Sequence, residues 1–243
     1  MSRAGAGVIA AGVIVLALAV GVAGAATIVG DDSDEVLTGT PQADQIDAKG
    51  GNDVVNALPG PDQVLAGEGN DEVDGGRGRD RVNGEAGDDT IDGGRGRDGL
   101  AGGSGDDTIG GAEHDDVILG EDGNDSLGGG QGRDLIRGRE GDDRVHGGRG
   151  GDVTYAGSGV DIAFGGSGPD RMFARAQDDV PIPGADTVFS GEGDDIVLVR
   201  DGEADVVGCG SGRDRVIADA EDVVRRSCER VRVGEPRQGE GDA

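Results

Sequence analysis

One aliphatic side chain every nine residues, set in a background of glycine and acid, is the dominant pattern of this chain. Between Gly75 and Ile109 the sequence reads GGRGRDRVN, GEAGDDTID, GGRGRDGLA, GGSGDDTI. Gly holds position four of each nine-residue unit, Asp position six, and Val, Ile or Leu position eight in all four units. A short fixed period predicts stacked repeats. The glycines let the backbone turn sharply and direct its carbonyls inward, and the Asp adds a hard oxygen. The aliphatic residue starts a short strand, and its side chain is expected to point to the face opposite the loop's oxygens.

The register extends well beyond this stretch. Asp recurs every nine residues at Asp44, Asp53, Asp62, Asp71, Asp80, Asp89, Asp98, Asp107, Asp116, Asp125, Asp134, Asp143, Asp152, Asp161, Asp170 and Asp179. Gly stands two residues before each, except at Gln42, His114 and Gln177. The aliphatic position holds from Ile46 to Val145, then decays to Thr154, Ala163, Met172 and Pro181. The motif returns around Asp186, Asp195, Asp205 and Asp214. A second period of eighteen is visible at position five. One alternate set reads Asn52, Asn70, Asp88, Asp106, Asn124, Asp142; the other reads Ala43, Pro61, Arg79, Arg97, Asp115, Arg133. Two units per turn would put these sets on opposite edges of a solenoid. Asn and Asp would add oxygens or orient the loop, whereas Arg would pair with neighbouring carboxylates.

The repeat resembles the calcium-binding nonapeptide of the repeats-in-toxin (haemolysin-type) family, G-G-x-G-x-D-x-U-x with U a large aliphatic. Gly75–Asn83 and Gly102–Gly110 match it at every fixed position. The resemblance covers about residues 39 to 217. It implies an all-β fold, a right-handed parallel β-roll with two nonapeptides per turn and Ca2+ held between successive loops by Asp carboxylates and loop carbonyls. The metal ligands it assigns are Asp53, Asp62, Asp71, Asp80, Asp89, Asp98, Asp107, Asp116, Asp125, Asp134, Asp143, Asp152, Asp161, Asp170, Asp195 and Asp214. The Asn/Asp edge is expected to bind calcium more tightly than the Arg edge. His114 replaces a position-four Gly beside Glu113 and Asp115, so one weakened site near Asp116 is expected there. A zinc site at His114 is the competing reading of the same residues.

Composition sharpens the picture. Of 243 residues 53 are Gly, aromatics are 2% and the net charge is -28, so an ordinary globular core is out of reach. A solenoid core is not, because each turn buries only a narrow inner face. Carboxylates at this density repel unless cations cancel them. Nucleic acid and anionic membrane surfaces are excluded as partners by the same charge.

The remaining segments fall into place around the array. Residues 1–26 carry Arg3, an apolar run from Val8 to Val22 and Ala23-Gly24-Ala25, the layout of a secretory signal peptide. An uncleaved anchor is the competing reading, disfavoured by the small residues and the cleavage pattern. The expected order is then an N-terminal cap (27–47), the main roll (48–173), a register break (174–185) with Pro181 and Pro183, a second short repeat block (186–217), a C-terminal cap (218–233) and a disordered tail (234–243). The C-terminal stretch resembles caps on repeat proteins secreted by actinobacteria. Its two cysteines, Cys209 and Cys228, predict a disulfide in a secreted chain. A loop of about twenty residues would gain about 3 kcal/mol from it.

Tyr155, Phe164, Phe173 and Phe189 all fall at position nine, so a small aromatic patch on the outer face is expected, as a glycan or cell-surface contact or covered by the 175–185 segment or the C-terminus. Cover is the favoured outcome, since exposed apolar patches are uncommon. No H-E-x-x-H or G-x-S-x-G occurs. The reading is a secreted calcium-binding module, not an enzyme. The alternatives are an adhesion or matrix protein and an accessory module of a secreted hydrolase.

Overall fold

The computed structural model describes residues 24–174, 185–225 and 227–234. The described chain is a parallel β-roll, without helix, in which two long sheets of twelve and eleven strands face each other. Most strands are built on the three residues around the aliphatic position, with an exposed–buried–exposed pattern such as that of Glu72–Asp74 and Thr90–Asp92. Many strands run on through the glycines, as Gly99–Ser104 and Ser126–Gly132 do, before the chain turns toward the other sheet.

Strand partners lie eighteen residues apart through most of the roll, so each turn uses two nonapeptides. In one sheet Val64 pairs with Val82, Val82 with Leu100 and Leu100 with Ile118. In the other, Val73 pairs with Ile91, Ile91 with Ile109 and Ile109 with Leu127. Identical positions therefore stack, and the aliphatic columns of both sheets form one continuous buried core. The decayed members Thr154, Ala163 and Met172 still occupy this core. Full burial of each Val, Leu or Ile stabilises the roll by about 1.5–3 kcal/mol.

One expectation about orientation is corrected here. Asp at position six and the aliphatic residue at position eight both point inward; Asp89 and Ile91 are 1% and 2% exposed. Residues two apart on an extended segment share a face, so the carboxylates line the interior beside the aliphatic core.

The stack continues across the register break. Ala163 pairs with Val188 and Met172 with Val197, a spacing of twenty-five residues that accommodates residues 175–184. Asp179, Pro181 and Pro183 lie outside the described residues, as do most of the signal-peptide segment and the tail from 235. Residues 27–38 already supply the first strand of each sheet. At the far end Arg215–Ala218 pairs with Arg230–Val233, and a Cys209–Cys228 disulfide with Cα atoms 5.0 Å apart ties the last turns together.

The four aromatics are divided between two outer faces. Tyr155 stacks on Phe173 in one sheet, under the Arg137 guanidinium. Phe164 stacks on Phe189 and on His146 in the other, with Arg144 over Phe164 and Arg225 over Phe189. The pairing register sets this division, because consecutive position-nine residues belong to alternate sheets.

From Lys49 to Gly166, position two of the loop holds the left-handed conformation whether or not it is glycine. Gly76, Gly94 and Gly103 adopt it, and so do Leu58, Glu85, Ala112, Glu121 and Arg139. Ala112, at φ 72°, is strained by its own Cβ. Ala112→Gly should therefore stabilise the roll by about 0.5–1 kcal/mol, the strain relieved less the added chain entropy. Ala101→Gly, inside the strand Gly99–Ser104, should destabilise it by a similar amount. Chemical denaturation in calcium reads both, and equal signs would refute the argument.

Candidate metal centre

Two columns of carboxylates run the length of the roll, one beside each sheet. In one column the backbone N–H of each member donates to Oδ1 of the acid one turn on: Asp53 to Asp71, Asp71 to Asp89, Asp89 to Asp107, Asp107 to Asp125, all 2.7–2.9 Å. The other runs Asp62, Asp80, Asp98, Asp116, Asp134 in the same way. The bond survives the break, where Asp161 donates to Asp186 and Asp170 to Asp195. Every predicted ligand, from Asp53 to Asp170 with Asp195 and Asp214, belongs to these columns and is buried.

The columns also hold acids outside the predicted set. Glu35 begins one, its N–H on Asp53 Oδ1, and Asp44 begins the other, with Oδ1 accepting from Ala26. Asp186, Asp205 and Asp222 continue the first; Glu229 ends the second by accepting the Asp214 N–H. Glu35 was findable, since it stands nine residues before Asp44, where Asp34 distracts from it. Asp222 and Glu229 fall seventeen and fifteen residues after their partners, so period alone misses them.

Each hydrogen bond uses one carboxylate oxygen. The second, Oδ2, is buried without a hydrogen-bond partner in Asp53, Asp62, Asp71, Asp80, Asp89, Asp98, Asp107, Asp116, Asp125, Asp134, Asp143, Asp152, Asp170, Asp195, Asp205 and Asp214. These oxygens face the position-one glycine of their own loop. A methyl built on Gly102 would overlap Asp107 Oδ2 and lie 2.9 Å from the carbonyl oxygen of Gly120. On Gly120 it would overlap Asp125 Oδ2 and lie 2.7 Å from the Gly138 carbonyl. The glycines thus leave a space bounded by an unpartnered carboxylate oxygen and a carbonyl from the next turn. Oxygen-only donors of this kind suit a hard divalent cation. Burial pushes the carboxyls up, helped by like charges above and below and opposed by the N–H bond: Asp89 to about 7, Asp143 to about 8, Asp186 to about 9.

The two edges differ as the position-five sets predict. On one, Asn52, Asn70, Asp88, Asp106, Asn124 and Asp142 form a ladder, each side-chain oxygen accepting the N–H of the next turn at 2.8–3.1 Å. On the other, Asp115 pairs with Arg97 at 2.9 Å and Arg133 at 3.3 Å; the Arg133 backbone N–H, which Asp115 Oδ1 accepts at 3.0 Å, and after it the two guanidinium groups hold its carboxyl below the usual range. His114 is exposed, with Nδ1 2.9 Å from the Glu113 carbonyl oxygen. It belongs to no group of three acid, His or Cys ligand atoms among the described residues.

Stacked eighteen-residue turns with acid-lined loops define a cation-binding parallel β-solenoid. A family profile described as the RTX calcium-binding nonapeptide repeat (4 copies) matches residues 22–64, 65–100, 100–127, 120–154, 155–180 and 183–203. The chain belongs to this family, and its repeats bind Ca2+. No curated protein matches it.

The raised carboxyls set the behaviour of the calcium-free chain. At pH values between the ordinary 3.8 and the folded values of about 6 to 8, the roll holds protons that the unfolded chain has released. Its stability is then fully present below about pH 4 and lost as pH rises through 6 to 8. In chelator, far-UV circular dichroism should show the roll at pH 4 and its loss by pH 8. Stability that increases over that interval would contradict this account.

Proposed function

We propose that the chain is a secreted calcium-binding β-roll that folds as its ions bind and carries no catalytic domain of its own. The double column of buried carboxylates, most with one oxygen that has no hydrogen-bond partner, carries this reading. At neutral pH those oxygens need a cation before the roll is favourable, and calcium that binds only the folded state supplies the driving force. The proposed ligands are the register aspartates from Asp53 to Asp170, with Asp195 and Asp214, completed by loop carbonyls. Extracellular modules of this chemistry work at about 10⁻⁴–10⁻³ M calcium. The disulfide supports an oxidising compartment, and so secretion after removal of residues 1–26.

An adhesion or matrix role, through a glycan or cell-surface partner, is the alternative. It loses the support of a single aromatic surface, because Tyr155 and Phe173 lie on one sheet and Phe164 and Phe189 on the other. A role as accessory module of a secreted hydrolase has no specific observation in its favour.

Far-UV circular dichroism of residues 27–243 during a calcium titration tests the reading. A cooperative coil-to-β transition near millimolar calcium, absent with magnesium, is expected at pH 7.5 or above. A β signal already present in chelator at that pH and unchanged by calcium would overturn it. The edges give a second test. Asp89 lies beside the Asn/Asp ladder and Asp98 beside the Arg-bearing edge, so Asp89→Asn should weaken calcium binding more than Asp98→Asn. Equal losses in calcium titrations would remove the distinction between the edges.

A further inference from the structure

One loop in the C-terminal half departs from the repeat by gaining a carboxylate. Counted back from Asp205, position two is Asp201, and the left-handed residue is displaced to Gly202, at φ 97°. The loop joins the strand Ile196–Val199 to Val206–Gly208, and Val206 pairs with Thr187 at a spacing of nineteen residues. Asp201 is thereby set against Asp186 and Asp205, consecutive members of one carboxylate column.

One carboxylate oxygen from each of the three lies within 4.8 Å of the other two. Asp186 and Asp205 are 4% and 0% exposed. Asp205 Oδ1 accepts the Asp186 N–H at 2.8 Å, Asp186 Oδ1 accepts the Asp161 N–H at 2.9 Å, and Asp201 Oδ1 accepts the Glu203 N–H at 3.1 Å. Asp205 Oδ2 is buried and has no hydrogen-bond partner. Nowhere else among the described residues do three acid, His or Cys ligand atoms gather this closely.

We propose that Asp186, Asp201 and Asp205 form a separate three-carboxylate site for a hard divalent cation, filled by calcium more tightly than the sites along the repeat. No other loop among the described residues gathers three such ligand atoms, and Asp201 supplies its carboxylate from outside the motif. Affinity for calcium rises with the number of charged ligands and with the rigidity of the cage. Two of these ligands are fixed by the column hydrogen bonds. The site sits where the stack resumes after residues 175–184, so its ion would clamp the disulfide-closed end to the main roll. The proposal rests on the calcium reading only for the identity of the ion.

Equilibrium dialysis of the full chain against calcium tests it, with Asp201→Gly and Asp201→Asn beside the unaltered protein. Asp201→Asn keeps a side-chain oxygen to accept the Glu203 N–H and removes only the charge, and Asp201→Gly removes the side chain altogether. The unaltered chain should bind one ion roughly tenfold or more tightly than the rest. In both variants that class should vanish, with one ion fewer at saturation and the circular dichroism of the roll retained. A tight class that persists in both variants, or is absent from the unaltered protein, overturns the site. Loss of the roll in both variants at saturating calcium would make Asp201 a structural residue and also overturn it. A chain that binds one tight calcium but shows no cooperative folding would refute the folding function and leave this site standing.

Discussion

Everything in this roll depends on how buried carboxylates are satisfied. Stacking at eighteen residues places like on like, so each Asp has an Asp above and below it in its column. The N–H of the neighbouring Asp engages one oxygen and leaves the other unpartnered, as at Asp89 and Asp107. An ionised carboxylate removed from water costs several kcal/mol. One aliphatic side chain per unit returns about 1.5–3 kcal/mol, so the core alone does not balance the acids at neutral pH. On the proposed calcium-folded reading, a proton or a divalent cation on the second oxygen would decide whether the roll forms, and charge would be a control on folding.

Glycine makes that arrangement sterically possible in two different ways. At position four the loops of successive turns come so close that a Cβ on Gly96 would overlap the Gly78 carbonyl oxygen one turn below. At position one the missing side chain leaves room for the unpartnered Oδ2. Ala48, Ala57 and Ala66 stand at that same position in the N-terminal turns, so the space is narrowed there by a methyl. The repeat is thus less uniform in its acid-lined spaces than in its backbone.

The period revealed the architecture because the same few side chains recur in every turn. The eighteen-residue turn, the core column and the chemical difference between the edges all follow from positions five and eight, and the structure bears them out in the Asn52–Asp142 ladder and the Arg97–Asp115–Arg133 pairs. What was not legible was direction. Nothing in a one-letter string says that Asp80 and Val82 point the same way; extended geometry between them does. The aromatics failed to form one surface for a related reason. Their nine-residue spacing is half a turn, which sends Tyr155 and Phe164 to opposite sheets. The cluster at Asp201 was hidden because an Asp in place of a repeat glycine reads as decay of the motif.

The ends of the columns separate the hydrogen bond from the ion-binding motif. Asp214 is followed by no further nonapeptide, yet its N–H is met at 2.8 Å by Glu229, fifteen residues on. At the other end Glu35 takes the Asp position although its loop lacks the full glycine pattern. At Glu229 the longer side chain spans what the irregular spacing would leave open, whereas Glu35 keeps the eighteen-residue spacing to Asp53. The acid-to-N–H bond thus persists where the glycine motif has gone. Register is set by that bond, and on the proposed reading the cation would act on the oxygen left over. The two requirements coincide in the middle of the roll, which is why a single Asp per nonapeptide can serve both.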